Sequence, residues 1–367
     1  MFKNKNTLKT DFYTWLIIIL MLITIGTIFI YSSSSIFAIE LYNSPHFFLK
    51  KQCIGIFLGL CGAFIFYIFP IQLFKKNSFL ILLSALFLIL LTLLGPFAFR
   101  IHGAKRWLNI FGFSFQPSEW LKIAIIIYSS AILSSQKLNQ NKKLCALLFP
   151  TLVACLLLLK QPDFGSCITI TSTLLMLLFI SNTSLKLLIT LGGITLPIIS
   201  YLIYTKPYRW RRILIFLNPW KDPHGAGFQI IQSLTALGSG GLTGIGIAQS
   251  RQKYFYLPMQ HTDFIVAIIG EETGFIGIST ILILFILFLY YGIRISTQLT
   301  DYFAQLNMLG FVFLITLQII INLAVISGLV PTKGIGLPFI SYGNSSLICH
   351  LAYIGLLSHM IQNENAY

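Results

Sequence analysis

The chain has 367 residues, of which 56% are hydrophobic and only 10% are charged. Soluble domains carry about 25% charged residues, so this composition excludes an ordinary soluble globule. The formal net charge of +15 is dispersed over the segments between apolar runs. Dispersed basic residues argue against nucleic acid as a partner and favour anionic lipid or a phosphate-bearing ligand.

Ten apolar runs follow one another along the chain, each close to the length of a transmembrane helix. A helix needs about 20 apolar residues to cross a bilayer, and only helices or closed barrels satisfy the backbone there. We therefore predict an all-α polytopic membrane protein, built as a single integral-membrane domain over residues 1–367. The predicted spans are 12–35, 52–69, 78–95, 117–133, 145–160, 165–181, 185–204, 264–291, 303–328 and 341–360. The fifth and sixth are short and close together, so one re-entrant feature and eight full spans are the alternative.

The stretch 205–263 is too polar and too rich in Gly and Pro to cross lipid. It is predicted to be a large extracytoplasmic loop between spans seven and eight. Within it, residues 228–237 have helical spacing and predict a short interfacial helix. The glycine-rich run 237–246 favours a flexible loop, although such backbone can also expose N–H groups to a phosphate.

Motif-like polar residues fall in the loops after spans three, five, seven and nine, which must all lie on one side of the membrane. The opposite loops 70–77, 134–144, 181–186 and 292–302 are short and featureless. Spans four, six, eight and ten begin at the motif-bearing face, so their N-termini carry unpaired N–H groups and partial positive charge there. Several such N-termini beside basic loops predict a phosphate or pyrophosphate site.

The eighth span and the turn before it hold three of the ten acidic residues. Asp263 ends a polar turn that also contains His261, and Glu271 and Glu272 follow within an apolar run. Carboxylates set into an apolar transmembrane helix are functional candidates by default. Glu271 and Glu272 lie deep in the span, so we expect them to pair with polar groups inside the bundle. Asp263 lies at the surface and is the candidate for chemistry.

Six cysteines lie within or at the edges of apolar runs, and no two form a CxxC pair. This pattern predicts small packing residues and neither a disulfide framework nor a metal site. The spacing of His, Cys and Asp residues supports no metal cluster either.

Six groups of motif-like segments follow one another along the chain. They are 105–107 with 116–119, 161–165, 216–219 with Asp222, 232–234 with 238–241, 256–258 with 261–265 and 270–272, and 331–334 with 337–343. In this order, they resemble the SEDS family (shape, elongation, division and sporulation), the FtsW/RodA group. The resemblance covers about residues 50 to 360, and the Pro-Thr-Lys-Gly segment at 331–334 favours the FtsW-like division branch over the RodA-like elongation branch.

The resemblance implies a GT-C-like peptidoglycan glycosyltransferase. Such proteins polymerise lipid II, an undecaprenyl-diphosphate-linked disaccharide peptide, at the outer face of the bacterial cytoplasmic membrane. Both termini are expected in the cytoplasm, and the lysines before the first span agree with this orientation. The implied partners are a class B penicillin-binding protein and other divisome membrane proteins. No cofactor is required by the motifs, and a divalent cation stays open as an alternative.

The essential loop aspartate of the family matches Asp263, which we predict to be the base that takes the proton of the attacking hydroxyl. Polar residues of the same face are predicted to bind the diphosphates or position the sugars. For Glu119, an ordinary ion pair with Lys122, three residues later, is the alternative. The predicted substrate-binding residues are Lys105, Arg106, Glu119, Asp163, His261, Lys333 and Ser341.

Three positions depart from the residues that are usual in the family. Met259 stands where Glu is usual, Gly336 replaces a proline and Asn344 replaces a glycine. Because this carboxyl is missing at position 259, a second function stays open as an alternative. The chain would then be a non-catalytic scaffold that only activates its penicillin-binding partner. A lipid II flippase is the other alternative, but it needs acids along a path through both halves of the membrane. Here the candidates lie on one face, which favours chemistry at a surface.

Overall fold

The structure is a computed structural model that describes residues 5–95, 98–101, 104–110, 113–225, 227–254 and 256–364. Helices account for most of it, as the long apolar runs predict. The helices are α1 (Lys5–Tyr42), α2 (Phe47–Ile68), α3 (Ile71–Lys76), α4 (Ser78–Leu94), α5 (Pro117–Ser134), α6 (Gln140–Lys160), α7 (Phe164–Ile180), α8 (Leu185–Tyr204), α9 (Pro207–Leu217), α10 (Phe228–Ser239), α11 (Ile265–Gln298), α12 (Tyr302–Ile326) and α13 (Asn344–Glu364).

Each of the ten predicted spans coincides with a long helix, namely α1, α2, α4 to α8 and α11 to α13. Six of the helices, α1, α2, α6, α8, α11 and α12, are long and apolar enough to cross a membrane, and α4 and α7 are shorter apolar helices. The chain is therefore a multi-pass membrane protein. The full count of ten spans stays a prediction, because α4 and α7 are short and α5 and α13 fall in neither group.

A small antiparallel sheet between α4 and α5 was not predicted from the sequence, which indicated an all-α fold. Strand β1 (Ala98–Ile101) pairs with β2 (Ala104–Ile110), and β2 pairs with β3 (Phe113–Phe115). The sequence signals for it are short runs with aromatic and β-branched residues, separated by pairs of residues that contain Gly103 and Gly112. The sheet is short, so helices still define the fold class.

The buried apolar residues form two groups. The larger group joins α1 to α11, α12 and α13, and the smaller one joins α4 to α5, α6 and α7. Trp15 of α1 is fully buried, stacks on Phe288 of α11, and donates its indole N–H to the Phe288 carbonyl at 3.1 Å. Large apolar side chains such as Phe57, Phe64 and Ile286 remain exposed on the outward faces, where a bilayer would cover them.

The predicted long loop, 205–263, is largely structured. It contains α9, a 3-10 turn (Pro219–Lys221) and α10, which confirms the helix predicted at 228–237.

The glycine-rich run of this loop, 237–246, is not a flexible loop, because it packs backbone-to-backbone against a break in α11 at Gly274 (φ 65°, ψ −161°). A Cβ added to Gly244 (φ 79°) would lie 2.2 Å from the Glu272 carbonyl oxygen. Only glycine allows this approach at a positive φ.

Candidate functional site

Three polar segments meet at one end of the helix bundle. They are the turn 160–163 between α6 and α7, residues 261–263 before α11, and residues 331–335 after α12. Asn322, buried in α12, joins two of them, because its side-chain amide donates to the Asp263 carbonyl at 2.9 Å and to the Ile335 carbonyl at 2.8 Å. One side chain thus fixes the start of α11 against the loop that carries Lys333.

The Asp263 side chain lies against this loop and is partly exposed. A Cβ added to Gly334 would lie 3.3 Å from Asp263 Oδ2, so the carboxyl occupies the space that a larger residue at 334 would need. Burial raises the pKa of Asp263 to about 6, and the guanidinium of Arg212 opposes this shift. A carboxyl with a pKa near the working pH is suited to take up and release a proton.

Arg212 of α9 places a positive charge near Asp263 and also holds the loop beside it. Its guanidinium Nη1 donates to the Thr332 carbonyl at 2.9 Å. Arg211, the preceding residue, instead pairs with Asp222 at 3.0 Å on the exposed side of the helix. Of these two arginines, only Arg212 therefore contributes to the site.

The Lys333 side chain extends over the N-terminus of α7, where Asp163 is the capping residue. Asp163 accepts hydrogen bonds from the backbone N–H of Ser166 at 3.1 Å and from its hydroxyl at 2.8 Å. A Cβ on Gly165 would lie 3.1 Å from Lys333 Cε and 3.4 Å from Asp163 Oδ1, so the two side chains meet above this glycine. Burial lowers the pKa of Lys333 to about 8, and the Asp163 carboxylate opposes that shift. The ammonium therefore keeps most of its charge at neutral pH.

Two further guanidinium groups lie at this end of α7, one against the turn 160–163 and one against Phe164. Arg106 of β2 donates from Nε to the Gln161 carbonyl at 3.0 Å and from Nη2 to the Pro162 carbonyl at 2.6 Å. Arg209 of α9 lies with its guanidinium carbon 5.0 Å from the centre of the Phe164 ring. Lys105 is half-buried at the preceding position of β2, where the pairing of β1 with β2 changes register.

Glu119 lies behind Asp163, at the start of α5. It forms an ion pair with Lys122 at 2.7 Å, which is the local alternative that the sequence left open. Its second oxygen, Oε2, is buried without a hydrogen-bond partner. Gln116 connects the two acidic residues, since its side-chain amide donates to Asp163 Oδ2 at 3.4 Å and its backbone carbonyl accepts from the Glu119 backbone N–H at 3.1 Å.

His261 and Ser341 make internal contacts. The His261 ring is buried beside Phe48 and Tyr342, with ring centroids 4.4 Å and 5.7 Å away. Burial lowers the pKa of His261 to about 4, so the imidazole is neutral at pH 7. The Ser341 hydroxyl accepts from the backbone N–H of Leu337 at 2.7 Å. Both residues thus hold the loops on either side of Asp263.

Glu271 and Glu272 lie farther along α11, at the level of the glycine-rich run. Glu271 accepts from the backbone N–H groups of Arg251 at 3.1 Å and Gln252 at 3.3 Å, and from the Ser250 hydroxyl. Glu272 accepts from the Ser32 hydroxyl of α1 at 2.7 Å and lies 3.5 Å from Lys253 Nζ. These two carboxylates connect the segment 250–253 to α11 and α1.

The departures from the family pattern also have local structural roles. Met259 adopts a positive φ of 59°, and its carbonyl accepts from the Thr262 backbone N–H at 3.1 Å in the turn that leads to Asp263. Asn344, at the start of α13, packs on α2, where a Cβ on Gly55 would lie 2.8 Å from its Oδ1. Within the described ranges, no three His, Cys, Asp or Glu side chains are grouped to hold a metal ion.

Sequence reasoning did not single out Asn322, although the signal was there. An amide in the middle of an apolar span is costly in lipid unless it is bonded, and such residues mark functional or structural contacts. No sequence pattern indicated the contact between Arg212 and Thr332, because the two residues lie 120 positions apart.

Fold and site define a multi-pass α-helical membrane protein that gathers acidic and basic side chains at one end of its bundle, with Asp263 near Arg212. The chain matches the family model FTSW_RODA_SPOVE, described as a cell cycle protein, over residues 13–366, and it belongs to this family. The probable peptidoglycan glycosyltransferase FtsW of Geobacter sp. (strain M18) is 40% identical over 336 residues, 90% of this chain and 91% of the relative. Stage V sporulation protein E of Bacillus subtilis (strain 168) is 39% identical over 344 residues, 93% and 94% of the two chains.

Solved structures show the same fold. A chain from a peptidoglycan synthase complex that coordinates polymerization and crosslinking superposes with a TM-score of 0.79 at 26% identity, covering 96% of this chain and 98% of that one. The rod shape determining protein RodA of Thermus thermophilus gives a TM-score of 0.71 at 23% identity, over 96% and 97% of the two chains. Several relatives at 38–40% identity are named FtsW, which agrees with the FtsW-like branch that the 331–334 segment predicts.

Proposed function

We propose that the chain is a peptidoglycan glycosyltransferase that polymerises lipid II into glycan strands for septal wall synthesis. Relatives that match more than 90% of its length are named probable peptidoglycan glycosyltransferase FtsW, which supports this activity. The observation that carries the proposal is the setting of Asp263. Its carboxyl has a pKa raised to about 6, is partly exposed, and lies near Arg212 and next to the loop that carries Lys333.

In the proposed reaction, the 4-hydroxyl of one lipid II attacks the anomeric carbon of a second, lipid-linked donor. The bond to the donor diphosphate breaks, and undecaprenyl pyrophosphate leaves with the bonding electrons. Asp263 takes the proton of the attacking hydroxyl. At neutral pH it is mostly ionised, and its raised pKa makes it a stronger base than an ordinary aspartate.

Cations near the leaving group lower the barrier, because negative charge grows on the diphosphate as the bond breaks. Lys333 is the leading candidate, since it keeps most of its charge at pH 7. Lys105 is the second. Arg106 already donates to two carbonyls of the turn 160–163, so its role in this proposal is to orient that turn, with Asp163, under the diphosphate.

The remaining predicted residues act indirectly in this proposal. Glu119 holds Lys122, His261 and Ser341 fix the loops around Asp263, and Glu271 and Glu272 secure the segment 250–253. No step requires a metal ion.

In this proposal the site lies at the outer face of the bacterial cytoplasmic membrane, both termini lie in the cytoplasm, and the chain is one integral-membrane domain. A class B penicillin-binding protein is the proposed partner, together with other divisome membrane proteins. The likeness to a chain from a peptidoglycan synthase complex supports such an assembly.

The test is a polymerisation assay with purified protein and labelled lipid II, with and without the partner. Glycan polymer from the wild type and none from Asp263→Asn is the expected result. Movement of labelled lipid II between leaflets without polymer would instead indicate a flippase. A scaffold would yield no polymer, and its Asp263→Asn variant would still stimulate crosslinking by the partner.

A further inference from the structure

Two loops at the end of the bundle away from the candidate site enclose a cavity. Loop 134–144 joins α5 to α6, and loop 181–186 joins α7 to α8. The cavity between them has a volume of about 250 Å³. Four leucines, among them the buried Leu133 and Leu178, line it together with five polar side chains. The sequence did not indicate this cavity, because both loops are short and carry no motif.

The cavity lies at the depth of lipid headgroups. Helix α7 begins beside the turn 160–163 and has 17 residues, a rise of about 25 Å. The hydrocarbon core of a bilayer is about 30 Å thick, so the cavity lies near the membrane surface opposite to the candidate site. Phe149 of α6 and Ile189 of α8 are exposed apolar side chains, about two turns farther into the bilayer. A phospholipid whose phosphate is in the cavity can therefore place its acyl chains against these helices.

Lys143 holds a positive charge in the cavity wall. Its ammonium donates to the Leu133 carbonyl at 2.9 Å, in the last turn of α5, and its side chain is half-buried. Within the described residues, this bond uses one of the N–H donors of the ammonium, which has three. The other donors are available to an anion, and the bond to the helix end keeps the charge in place.

The remaining polar lining comes from a closed turn and from the start of α6. Asn182 adopts a positive φ of 56°, and the Thr183 backbone N–H donates to a carbonyl of α7 at 3.2 Å, as in a Schellman motif. The hydroxyls of Ser181 and Thr183 lie 3.3 Å apart. Helix α6 begins with Gln140, and in the described structure its capping residue Asn139 makes no side-chain hydrogen bond to it. The first N–H groups of α6 therefore remain open to an anion.

The charge around the cavity has one sign. The two loops contain no Asp or Glu and four lysines, Lys137, Lys142, Lys143 and Lys186. Basic residues near a membrane surface attract anionic lipid, each adding to the attraction. A lipid without net charge gains less from them. A free phosphate ion could meet the same cations, but it would leave the leucines of the cavity uncovered.

We propose that this cavity binds the headgroup phosphate of an anionic phospholipid. Lys143 and the N-terminus of α6 contact the phosphate, and the acyl chains lie on the outward faces of α6 and α8. The site is separated from Asp263 by the thickness of the membrane, so its ligand takes no part in the proposed reaction.

The test is native mass spectrometry of the full chain in detergent, titrated with dioleoyl phosphatidylglycerol or dioleoyl phosphatidylcholine. The wild type should retain phosphatidylglycerol at a severalfold lower concentration than phosphatidylcholine. Inorganic phosphate should displace the bound phosphatidylglycerol no better than acetate at equal ionic strength. Displacement by phosphate alone would overturn the lipid assignment and indicate a site for free phosphate.

Gln140→Glu tests whether the lipid is in this cavity. The change adds a negative charge to the lining and leaves the bond from Lys143 to Leu133 intact, and an acid in the first turn of a helix is favourable for folding. The affinity for phosphatidylglycerol should fall about fivefold, the usual effect of one charge at a membrane surface. Gln72→Glu, at an exposed position of α3 on the same membrane side, is the matched control and should keep the wild-type affinity.

Lys143→Gln should remove the preference for phosphatidylglycerol. Because Lys143 also holds the end of α5, thermal unfolding of each variant is measured in parallel, and Gln140→Glu decides the question if Lys143→Gln does not fold. Equal affinity of the wild type for the two lipids would overturn the proposal, as would equal affinity of Gln140→Glu and Gln72→Glu for phosphatidylglycerol. Polymer formation is read in none of these experiments, so their outcome is independent of the proposed glycosyltransferase.

Discussion

Asp263, just before α11, and Glu271 and Glu272, more than two turns farther along the chain, differ in how their carboxylates are used. Glu271 and Glu272 are buried and take their hydrogen bonds from α1 and the segment 250–253. In the part of the chain that the structure describes, the Asp263 carboxylate has neither a hydrogen-bond donor nor an ion pair, and it is partly exposed. A buried acid with its bonds filled stabilises a fold, whereas an exposed one with free oxygens is open to substrate.

The largest effect is expected at Asp263, the partly exposed acid. Asp263→Asn should lower polymerisation by about 10²–10⁴-fold, the usual range for loss of a general base. Its thermal midpoint should stay near that of the wild type, because no bond to the carboxylate is lost. Lipid II polymerisation and thermal unfolding are measured in parallel. Asp222→Asn, at an exposed ion pair with Arg211, is the matched control and should keep its activity.

The buried acids should show the opposite behaviour, with loss of stability. Glu272→Gln leaves Lys253 buried without its charge partner, and breaking such a pair costs about 3–5 kcal/mol. Denaturant titration of the detergent-solubilised protein measures the loss. Adding Lys253→Met should recover part of it, since the unpaired charge is removed. If Glu272→Gln unfolded like the wild type while polymerisation collapsed, the contrast with Asp263 would be wrong.

A smaller change tests whether the position of the Asp263 carboxyl matters. Gly334→Ala introduces a Cβ 3.3 Å from Oδ2, so the carboxyl must shift by a few tenths of an ångström. Small misplacements at a reacting centre reduce rates strongly, and we expect polymerisation to fall about tenfold with stability unchanged. Gly343→Ala is the control, because its Cβ would have no neighbour nearer than Ser346 Cβ at 4.0 Å. Equal rates for the two variants would argue against the assignment.

The smallest effect concerns pH. Asp263 must be ionised to act as a base, so the rate should fall as the pH drops through about 6. Lys333 must be charged to bind diphosphate, so the rate should fall again as the pH rises through about 8. Arg212 lowers the pKa of Asp263, and Arg212→Met should therefore move the acidic limb to higher pH. A pH–rate profile measures this shift, and Arg212→Lys, which keeps the charge, should leave the limb in place.

Much of the fold follows from the sequence, because a backbone in lipid must satisfy its own hydrogen bonds and an apolar run of sufficient length has few alternatives to a helix. The ten apolar runs coincide with ten helices for this reason. Alternation of loops across a membrane also placed Asp163, Asp263 and Lys333 on one side before any contact was known. The Glu119–Lys122 pair was foreseeable as well, since residues three apart on a helix are neighbours.

Only the tertiary structure decided which of these residues touch. The bonds from Asn322 to Asp263 and Ile335 and from Arg106 to the turn 160–163 join separate elements. Such contacts depend on how helices pack, and local periodicity carries no information about them. The glycine-rich run illustrates the same limit. Its composition favours a flexible loop, but the break in α11 at Gly274 offers it backbone partners and fixes it in place.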